Sequence, residues 1–330
     1  MKTGVIGCGA IGGLFLGYLR AQGEDVYGVV RDYQKEPLLK DGLCIEGPRG
    51  PQWHKVEVDT RLTRPVDLAV FATKINDLEA ALQDNIDFLK DAVVLTTQNG
   101  IEADAIVRKY FPPEKILTAI VMFGATFYPP NKVVHNFEGE LIVGNIFGAA
   151  VDGREQINQT LGKAFNLKEE LQIKGAKYLK VFINLNNCIP AALGISMQEA
   201  FADLDTAGLA IDLNREAYQI VEKSGIELTS LPTYPKERLS GLVAMDRAQA
   251  AGLFSKIMTS LSDRPLYGSI LQSIKRGKRS EIDYINGQIV RLAQEAGWDA
   301  GLNRKMVELV HRVEDSKKFL ARQELLSINN

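Results

Sequence analysis

The sequence predicts an α/β chain in which a mostly parallel sheet domain is followed by an all-helical domain. Three observations predict it. A glycine turn, Gly7-Cys8-Gly9-Ala10-Ile11-Gly12, is entered from the short run Lys2-Thr3-Gly4-Val5-Ile6 and left through an apolar helical segment. Short β-branched runs then alternate with helical stretches through the first half, the pattern of a parallel sheet covered on both faces. From about residue 175, apolar residues recur at spacings of three and four instead, which argues for helices alone.

The first strand and its turn justify a Rossmann-type reading. In a GxGxxG turn the first glycine lets strand pass sharply into helix. The second lets the backbone approach a pyrophosphate, and the third lets helix pack on strand. The phosphates then sit at the helix N-terminus, where unpaired N–H groups and the dipole favour an anion. With 29 glycines in the chain the six-residue pattern alone is weak, but a strand before it and a helix after it make it a dinucleotide signal. The helix spans 11–22, and residues 25–30 read as the second strand, followed directly by Arg31. An acid near this point suits a ribose 2′-hydroxyl, whereas an arginine suits a 2′-phosphate, so Arg31 points to NADP (NADPH). Asp32 beside it is the competing acidic reading.

Further strands are expected at 67–73, 92–98 and 116–122. Ligands of open α/β sheets bind beyond the strand carboxyl ends. That rim carries Arg31, Lys74, Asn99 and the Phe123-Gly124-Ala125 turn. Residues 42–60 are turn-rich and read as a hairpin insertion. The runs 133–135 and 140–144 suggest an antiparallel edge to the sheet. Helices are expected at 177–193, 207–224, 248–262, 279–297 and 303–320, with the domain boundary near 166–175: residues 1–172 for the cofactor, 173–330 for substrate and dimerisation.

Bulk composition narrows the class. The chain has 330 residues, enough for two domains, and 45% hydrophobic residues, enough for full cores. A net charge of −2 gives no electrostatic reason to expect nucleic acid or an anionic membrane as partner. Three scattered cysteines, Cys8, Cys44 and Cys188, fit a reducing compartment better than a disulfide framework or zinc site. No signal-peptide pattern opens the chain and no apolar run reaches the roughly 18 residues of a membrane helix, so a cytoplasmic protein is expected. His54, His135 and His311 are too scattered to suggest a metal. A homodimer through the helical domain is left open.

Two constellations carry chemistry in the second half. Lys180, Asn184 and Asn187 are spaced by four and three, so they share one helix face, from which Asn186 falls away. Val181, Phe182, Ile183 and Leu185 make the surroundings apolar, and partial desolvation lowers a lysine pKa toward a range useful for proton transfer. A solvent-exposed polar face is the competing reading. The second constellation is Tyr267-Gly268-Ser269, followed after a basic turn by Glu281-Ile282-Asp283-Tyr284-Ile285-Asn286-Gly287. Acids at a helix start favour the dipole, which by itself explains Glu281 and Asp283.

Taken in order, these residues resemble the ketopantoate reductases (2-dehydropantoate 2-reductases). Gly7, Cys8, Gly9, Ala10, Ile11 and Gly12 with Arg31 resemble that family's NADP site. Thr73-Lys74 and Gln98-Asn99-Gly100 match its rim motifs, and Gly124-Ala125 resembles its backbone contact to the cofactor. Lys180 with Asn184 resembles its helix of general-acid lysine and substrate-binding asparagine. Ser269 and the Glu281–Gly287 run resemble its late motif. Several positions depart from the pattern. The second helix asparagine often lies eight residues past the lysine, where this chain has Cys188, while Asn187 has the alternative spacing of seven. Tyr178 replaces the usual tryptophan ahead of the lysine, and 228–265 is longer than in compact members.

The resemblance implies reduction of a 2-oxo acid, 2-dehydropantoate in pantothenate biosynthesis. Lys180 would act as general acid and Glu281 would orient it or contact the cofactor ribose. Asn184, Asn187 and Ser269 would hold the substrate, and Lys74, Asn99 and Ala125 would line the cofactor. Other readings on the same plan are a reductase of another 2-oxo or 3-oxo acid, an opine-type dehydrogenase and a nonenzymatic NADP(H)-sensing regulator. The joint presence of Lys180, Asn184, Ser269 and Glu281 argues against the regulator.

Overall fold

The computed structural model describes residues 1–329. By internal contacts the chain divides into two compact units, Met1–Ile173 and Lys174–Asn330.

The first unit is built on strands β1 (Lys2–Ile6), β2 (Asp25–Val29), β3 (Leu43–Glu46), β4 (Gln52–His54), β5 (Glu57–Asp59), β6 (Leu68–Phe71), β7 (Val93–Thr96), β8 (Ile116–Val121), β9 (Gly124–Tyr128), β10 (Lys132–Phe137), β11 (Glu140–Gly144) and β12 (Asn166–Glu169). Among them run helices α1 (Ala10–Ala21), α2 (Asp32–Asp41), α3 (Ile75–Asn85), α4 (Glu102–Arg108) and α5 (Arg154–Ala164). Among the described residues the main sheet has eight strands in the order β12-β11-β8-β7-β6-β1-β2-β5. From β1 through β8 its members are mutually parallel. β6 and β7 are buried at every position, as both-face coverage demands. The chain runs outward from β1 through β2 on one side and from β6 through β8 on the other. The strand order therefore reverses between β1 and β6, the switch point where open α/β sheets bind ligands.

The edges depart from the sequence expectation. Residues 133–135 and 140–144 do not pair with each other. β11 is antiparallel to β8 in the main sheet, whereas β10 pairs with β9 and β3 in a second sheet ordered β4-β3-β10-β9. Gly124 and Ala125, expected in a turn, open β9, whose hairpin with β10 turns at Pro129-Pro130-Asn131. The 42–60 insertion does contain a hairpin, β3 with β4, but its last run, β5, leaves the hairpin and joins the main sheet beside β2. β12, parallel to β11, lay inside the expected boundary region.

Three glycines explain how α1 fits between the two sheets, although each costs about 1 kcal/mol in helix propensity. A Cβ on Gly12 would lie 2.3 Å from the Gly7 carbonyl oxygen, so this face meets the β1 turn. A Cβ on Gly13 would meet Val133 at 2.7 Å and one on Gly17 would meet Ile45 at 2.4 Å, so the other face meets the second sheet. Phe15, fully buried, packs at a tilt against Phe165 with ring centroids 4.5 Å apart, and Tyr18 hydrogen-bonds His135 at 2.8 Å.

The second unit is helical: α6 (Ile173–Leu185), α7 (Cys188–Leu193), α8 (Met197–Ala202), α9 (Leu204–Lys223), α10 (Lys236–Ala244), α11 (Arg247–Thr259), α12 (Ser269–Lys275), α13 (Asn286–Glu295), α14 (Gly301–Ser316) and α15 (Arg322–Leu326). The single helix expected at 177–193 is broken at Asn186-Asn187. Pro190 accounts for the break, because its ring would clash with the carbonyl of Asn186 and it has no N–H to donate. The chain tightens there instead, Asn187 N–H donating to the Asn184 carbonyl at 3.0 Å and Ile189 N–H to Asn186 at 3.2 Å. The helix expected at 279–297 begins only at Asn286, after a 3₁₀ turn Ile282–Tyr284 and a non-helical Ile285 (φ −113°, ψ −84°). Residues 228–265, notable only for length, supply α10 and all of α11. No described helix is long and apolar enough to cross a membrane.

Candidate active site residues

In the first unit the glycine turn meets each requirement of a pyrophosphate cradle. Gly7 has φ +91°, a left-handed value that glycine adopts without penalty, and a Cβ there would stand 2.7 Å from the Thr73 backbone at the end of β6. Its N–H donates to the Val29 carbonyl at 3.0 Å, and Cys8 N–H donates to the same oxygen at 3.3 Å. The turn is thereby tied to the carboxyl ends of β2 and β6. Gly9 is the N-cap of α1, and a Cβ on it would meet nothing within 4 Å, so the face a phosphate would approach is open. The first turn of α1 carries no acidic residue and its cap makes no side-chain hydrogen bond, which leaves the positive end of the dipole to an incoming anion. Ala10 and Ile11 are half-buried, and the Cys8 thiol is buried, with its pKa pushed up to about 12. Cys8 therefore contributes backbone to this turn, not a reactive thiolate. These residues fit a dinucleotide.

Arg31 follows β2 as the N-cap of α2, exposed, with its guanidinium 3.2 Å from Asp77 on α3. Both partners are more than half exposed, and such an ion pair contributes little stability, so the Arg31 guanidinium gives up this partner at little cost. Asp32 is the first residue of α2. Gln34 was not anticipated. Buried at 4% exposure, it donates to the Cys8 carbonyl at 3.1 Å and accepts from the Arg31 N–H at 3.2 Å, so one side chain links the glycine turn to the arginine. Its only sequence signal is a glutamine three residues past a helix cap.

The rim residues follow from the same sheet. Lys74 caps α3 just past β6 and is exposed; Asn99 is half-buried beyond β7, followed by Gly100 at φ +78°. Gln98 fixes both loops, donating to the Phe71 and Thr73 carbonyls at 3.1 and 3.0 Å. Ala125 is half-buried in β9, paired with His135, so its neighbourhood is set by the second sheet.

In the second unit, α6 and the junction after it present one partly open stripe. Lys180, Ile183, Asn184 and Asn187 are half-buried, whereas Leu179, Val181, Phe182, Leu185, Asn186 and Cys188 are buried. Burial holds the Lys180 ammonium below the ordinary lysine value. Asn186 points away into the core and accepts a hydrogen bond from Asn214 on α9 at 3.0 Å. Cys188 is fully buried, its thiol donates to the Leu185 carbonyl at 3.1 Å, and its pKa is pushed up to about 12. Of the two residues weighed for the second helix position, only Asn187 lies on the stripe. Tyr178 is buried beneath it, its phenol pushed up to about 12 by burial.

Ser269 is the first residue of α12, half-buried after its N-cap Gly268. A Cβ on Gly268 would stand 3.1 Å from the Asn187 side chain and from Met197, so the start of α12 is held against the α6–α7 junction. Glu281 is buried at 9% exposure ahead of the 3₁₀ turn, not in the first turn of a regular helix. A helix dipole therefore does not explain this acid.

The chain has sequence relatives that match this plan throughout. Residues 3–148 match the family described as Ketopantoate reductase PanE/ApbA, and residues 172–314 match its C-terminal region. A 2-dehydropantoate 2-reductase of Pyrococcus horikoshii is 30% identical over 95% of this chain and 98% of its own length. A PanE/ApbA family ketopantoate reductase of Ralstonia eutropha superposes with a TM-score of 0.81 at 24% identity, covering 96% of this chain and 99% of that one. A D-mandelate dehydrogenase in complex with NADH superposes with a TM-score of 0.78 at 25% identity, covering 96% and 100%. With both family regions matched in order along nearly its whole length, the chain belongs to the ketopantoate reductase family and is an oxidoreductase with a Rossmann-like sheet domain followed by a helical domain.

Proposed function

We propose that the protein reduces the ketone of a 2-oxo acid with NADPH, and that 2-dehydropantoate is the substrate. The observation that carries the reading is the half-buried Lys180 on one stripe with Asn184 and Asn187. The name and near-complete coverage of the Pyrococcus horikoshii relative support the choice of substrate.

NADPH, when bound, supplies the hydride that converts the carbonyl carbon to an alcohol carbon. The chain's own task is to manage the charge that then builds on oxygen. Lys180, as ammonium, donates a hydrogen bond to that oxygen and then its proton, leaving a neutral amine. Its depressed pKa makes the proton easier to give up than that of a solvated lysine. Asn184, Asn187 and Ser269 hold the substrate's carboxylate and hydroxyl groups and so fix the carbonyl carbon. Glu281 orients Lys180 or contacts the cofactor ribose. Gly7, Gly9 and Gly12 cradle the pyrophosphate, Arg31 receives the 2′-phosphate, and Lys74, Asn99 and Ala125 line the cofactor.

NADPH consumption with 2-dehydropantoate and a panel of other 2-oxo acids tests the reading. It expects the highest kcat/KM for 2-dehydropantoate. A higher value for an aryl 2-oxo acid would favour the second reading, which the similarity to a D-mandelate dehydrogenase motivates. Absence of turnover with every acid would remove both. Arg31→Ala is expected to raise the KM for NADPH by about ten- to a hundredfold, the equivalent of one charge-assisted hydrogen bond of roughly 1.5–3 kcal/mol, with little change for NADH. An equal change for both cofactors would remove the 2′-phosphate assignment.

A further inference from the structure

Glu281 stands in a connection that regular structure does little to hold. The helix before it ends at Lys275 and the helix after it starts at Asn286, with only the 3₁₀ turn Ile282–Tyr284 between. Both flanks of Glu281 are instead anchored to α14. On one side Ser280 N–H donates to Glu314 Oε1 at 2.7 Å; on the other, Asp283 Oδ1 lies 2.9 Å from His311 Nε2. Ile282, fully buried, pins the turn between them. The two anchors lie three residues apart on one helix face and are themselves joined, His311 Nδ1 lying 2.9 Å from Glu314 Oε2.

We propose that His311, shared as an imidazolium between Asp283 and Glu314, is a positioning residue that fixes the Glu281 segment and makes its placement depend on pH. The inference rests on the reading that Glu281 serves the reaction. Both ring nitrogens face carboxylate oxygens, and only the protonated ring has an N–H for each. A neutral ring keeps at most one of the two links, since with its proton on Nε2 it still donates to Asp283 while Nδ1 faces Arg279 at 3.3 Å, and that remaining link loses the charge that strengthened it. The surrounding charges are Asp283 on the 3₁₀ turn, Glu314 and Asp315 on α14, and Arg279, whose guanidinium lies 2.8 Å from Glu314, 2.6 Å from Asp315 and 3.3 Å from His311 Nδ1. Glu314 is buried at 4% exposure and is held ionised: burial raises its pKa, but Arg279, Ser280 and His311 together carry it below the ordinary value. Burial likewise lowers the His311 pKa, but Glu314 and Asp283 more than offset it and leave it raised.

The sign follows from linkage. A group whose folded pKa is raised contributes stability that is fully present below its unfolded value, about 6.5, and lost as pH rises through the folded value. The segment is therefore clamped on the acid side and loosens on the alkaline side. The other two histidines behave oppositely, His54 and His135 both being pushed down by burial.

The test uses the full chain without ligand first. Imidazole resonances are expected to show one histidine titrating above about 6.5, and that resonance should vanish in His311→Gln. Hydrogen exchange in residues 279–285, corrected for intrinsic rates, should lose protection by roughly tenfold as that histidine deprotonates, about one charge-assisted hydrogen bond. In His311→Gln it should be fast at every pH. In turnover, the substrate KM of the native protein should rise roughly tenfold over the same range, and His311→Gln should show the raised KM without the pH dependence. Titration of His311 at or below 6.5 would overturn the proposal, as would native-like protection in His311→Gln. Glu281→Gln separates this outcome from failure of the underlying reading. Native kcat and KM in that variant would remove Glu281 from the reaction and the positioning role with it. An impaired Glu281→Gln beside a native-like His311→Gln would sink the clamp alone.

Discussion

Replacing Lys180 by alanine is expected to lower kcat by about two to four decades, the usual contribution of a positioned general acid, or roughly 3–5 kcal/mol of barrier. Burial is the cause of its depressed pKa, so the ammonium sits in a partly desolvated place. The arrangement costs stability and is useful only where a proton must be given up. Lys180→Ala should therefore fold at least as stably as the native chain, since a half-buried charge is removed. Cofactor affinity should be unchanged, because the proposed pyrophosphate cradle is built by Gly7, Gly9 and Gly12 and not by Lys180. The direction of the shift also sets the pH profile. Proton donation requires the ammonium, so turnover should fall on the alkaline side at a pH below the ordinary lysine value of about 10.4. Steady-state kinetics, cofactor titration and thermal unfolding of the variant check all of this. Native turnover would take Lys180 out of the reaction.

Gly12→Ala is expected to weaken cofactor binding and to cost about 1–3 kcal/mol of stability from overpacking. Its Cβ would stand 2.3 Å from the Gly7 carbonyl oxygen and 3.0 Å from the Gly7 carbonyl carbon, both backbone, so the helix must move off the strand. Gly9→Ala supplies the contrast. Its Cβ meets no protein atom within 4 Å, so thermal unfolding should be unchanged. Yet the methyl group would stand in the open space at the helix N-terminus that the proposed cradle offers a pyrophosphate, and affinity should still fall. Loss of affinity in both variants with loss of stability only in Gly12→Ala is the signature of a cradle. Native cofactor binding by Gly9→Ala would remove it.

Much of the plan was legible in the sequence because its signals are local. Near-continuous apolar runs place the inner strands β1, β2, β6, β7 and β8, and the i, i+4, i+7 spacing puts Lys180, Asn184 and Asn187 along one half-buried stripe. That stripe survives the helix break, because the tightened turn at Asn187 keeps right-handed helical dihedrals (φ −63°, ψ −18°). The break itself was within reach, since Pro190 forbids a continuous helix through Asn186. What periodicity cannot supply is the partner of each element. The runs 133–135 and 140–144 look alike as short strands, yet they enter different sheets, because β9 forms a hairpin with one and β8 takes the other.

By itself the sequence determined the α/β-then-helical order, the conformation of the glycine turn and the face that Lys180 occupies. Each of these is set by backbone sterics and side-chain spacing within a few residues. The tertiary structure decided the edge strands, the link that Gln34 makes from the turn to Arg31, and the anchoring of Ser280 and Asp283, on either side of Glu281, by Glu314 and His311 some thirty residues along the chain. Such long-range hydrogen bonds leave no periodic trace, because they depend on which surfaces pack together and not on the local run of residues.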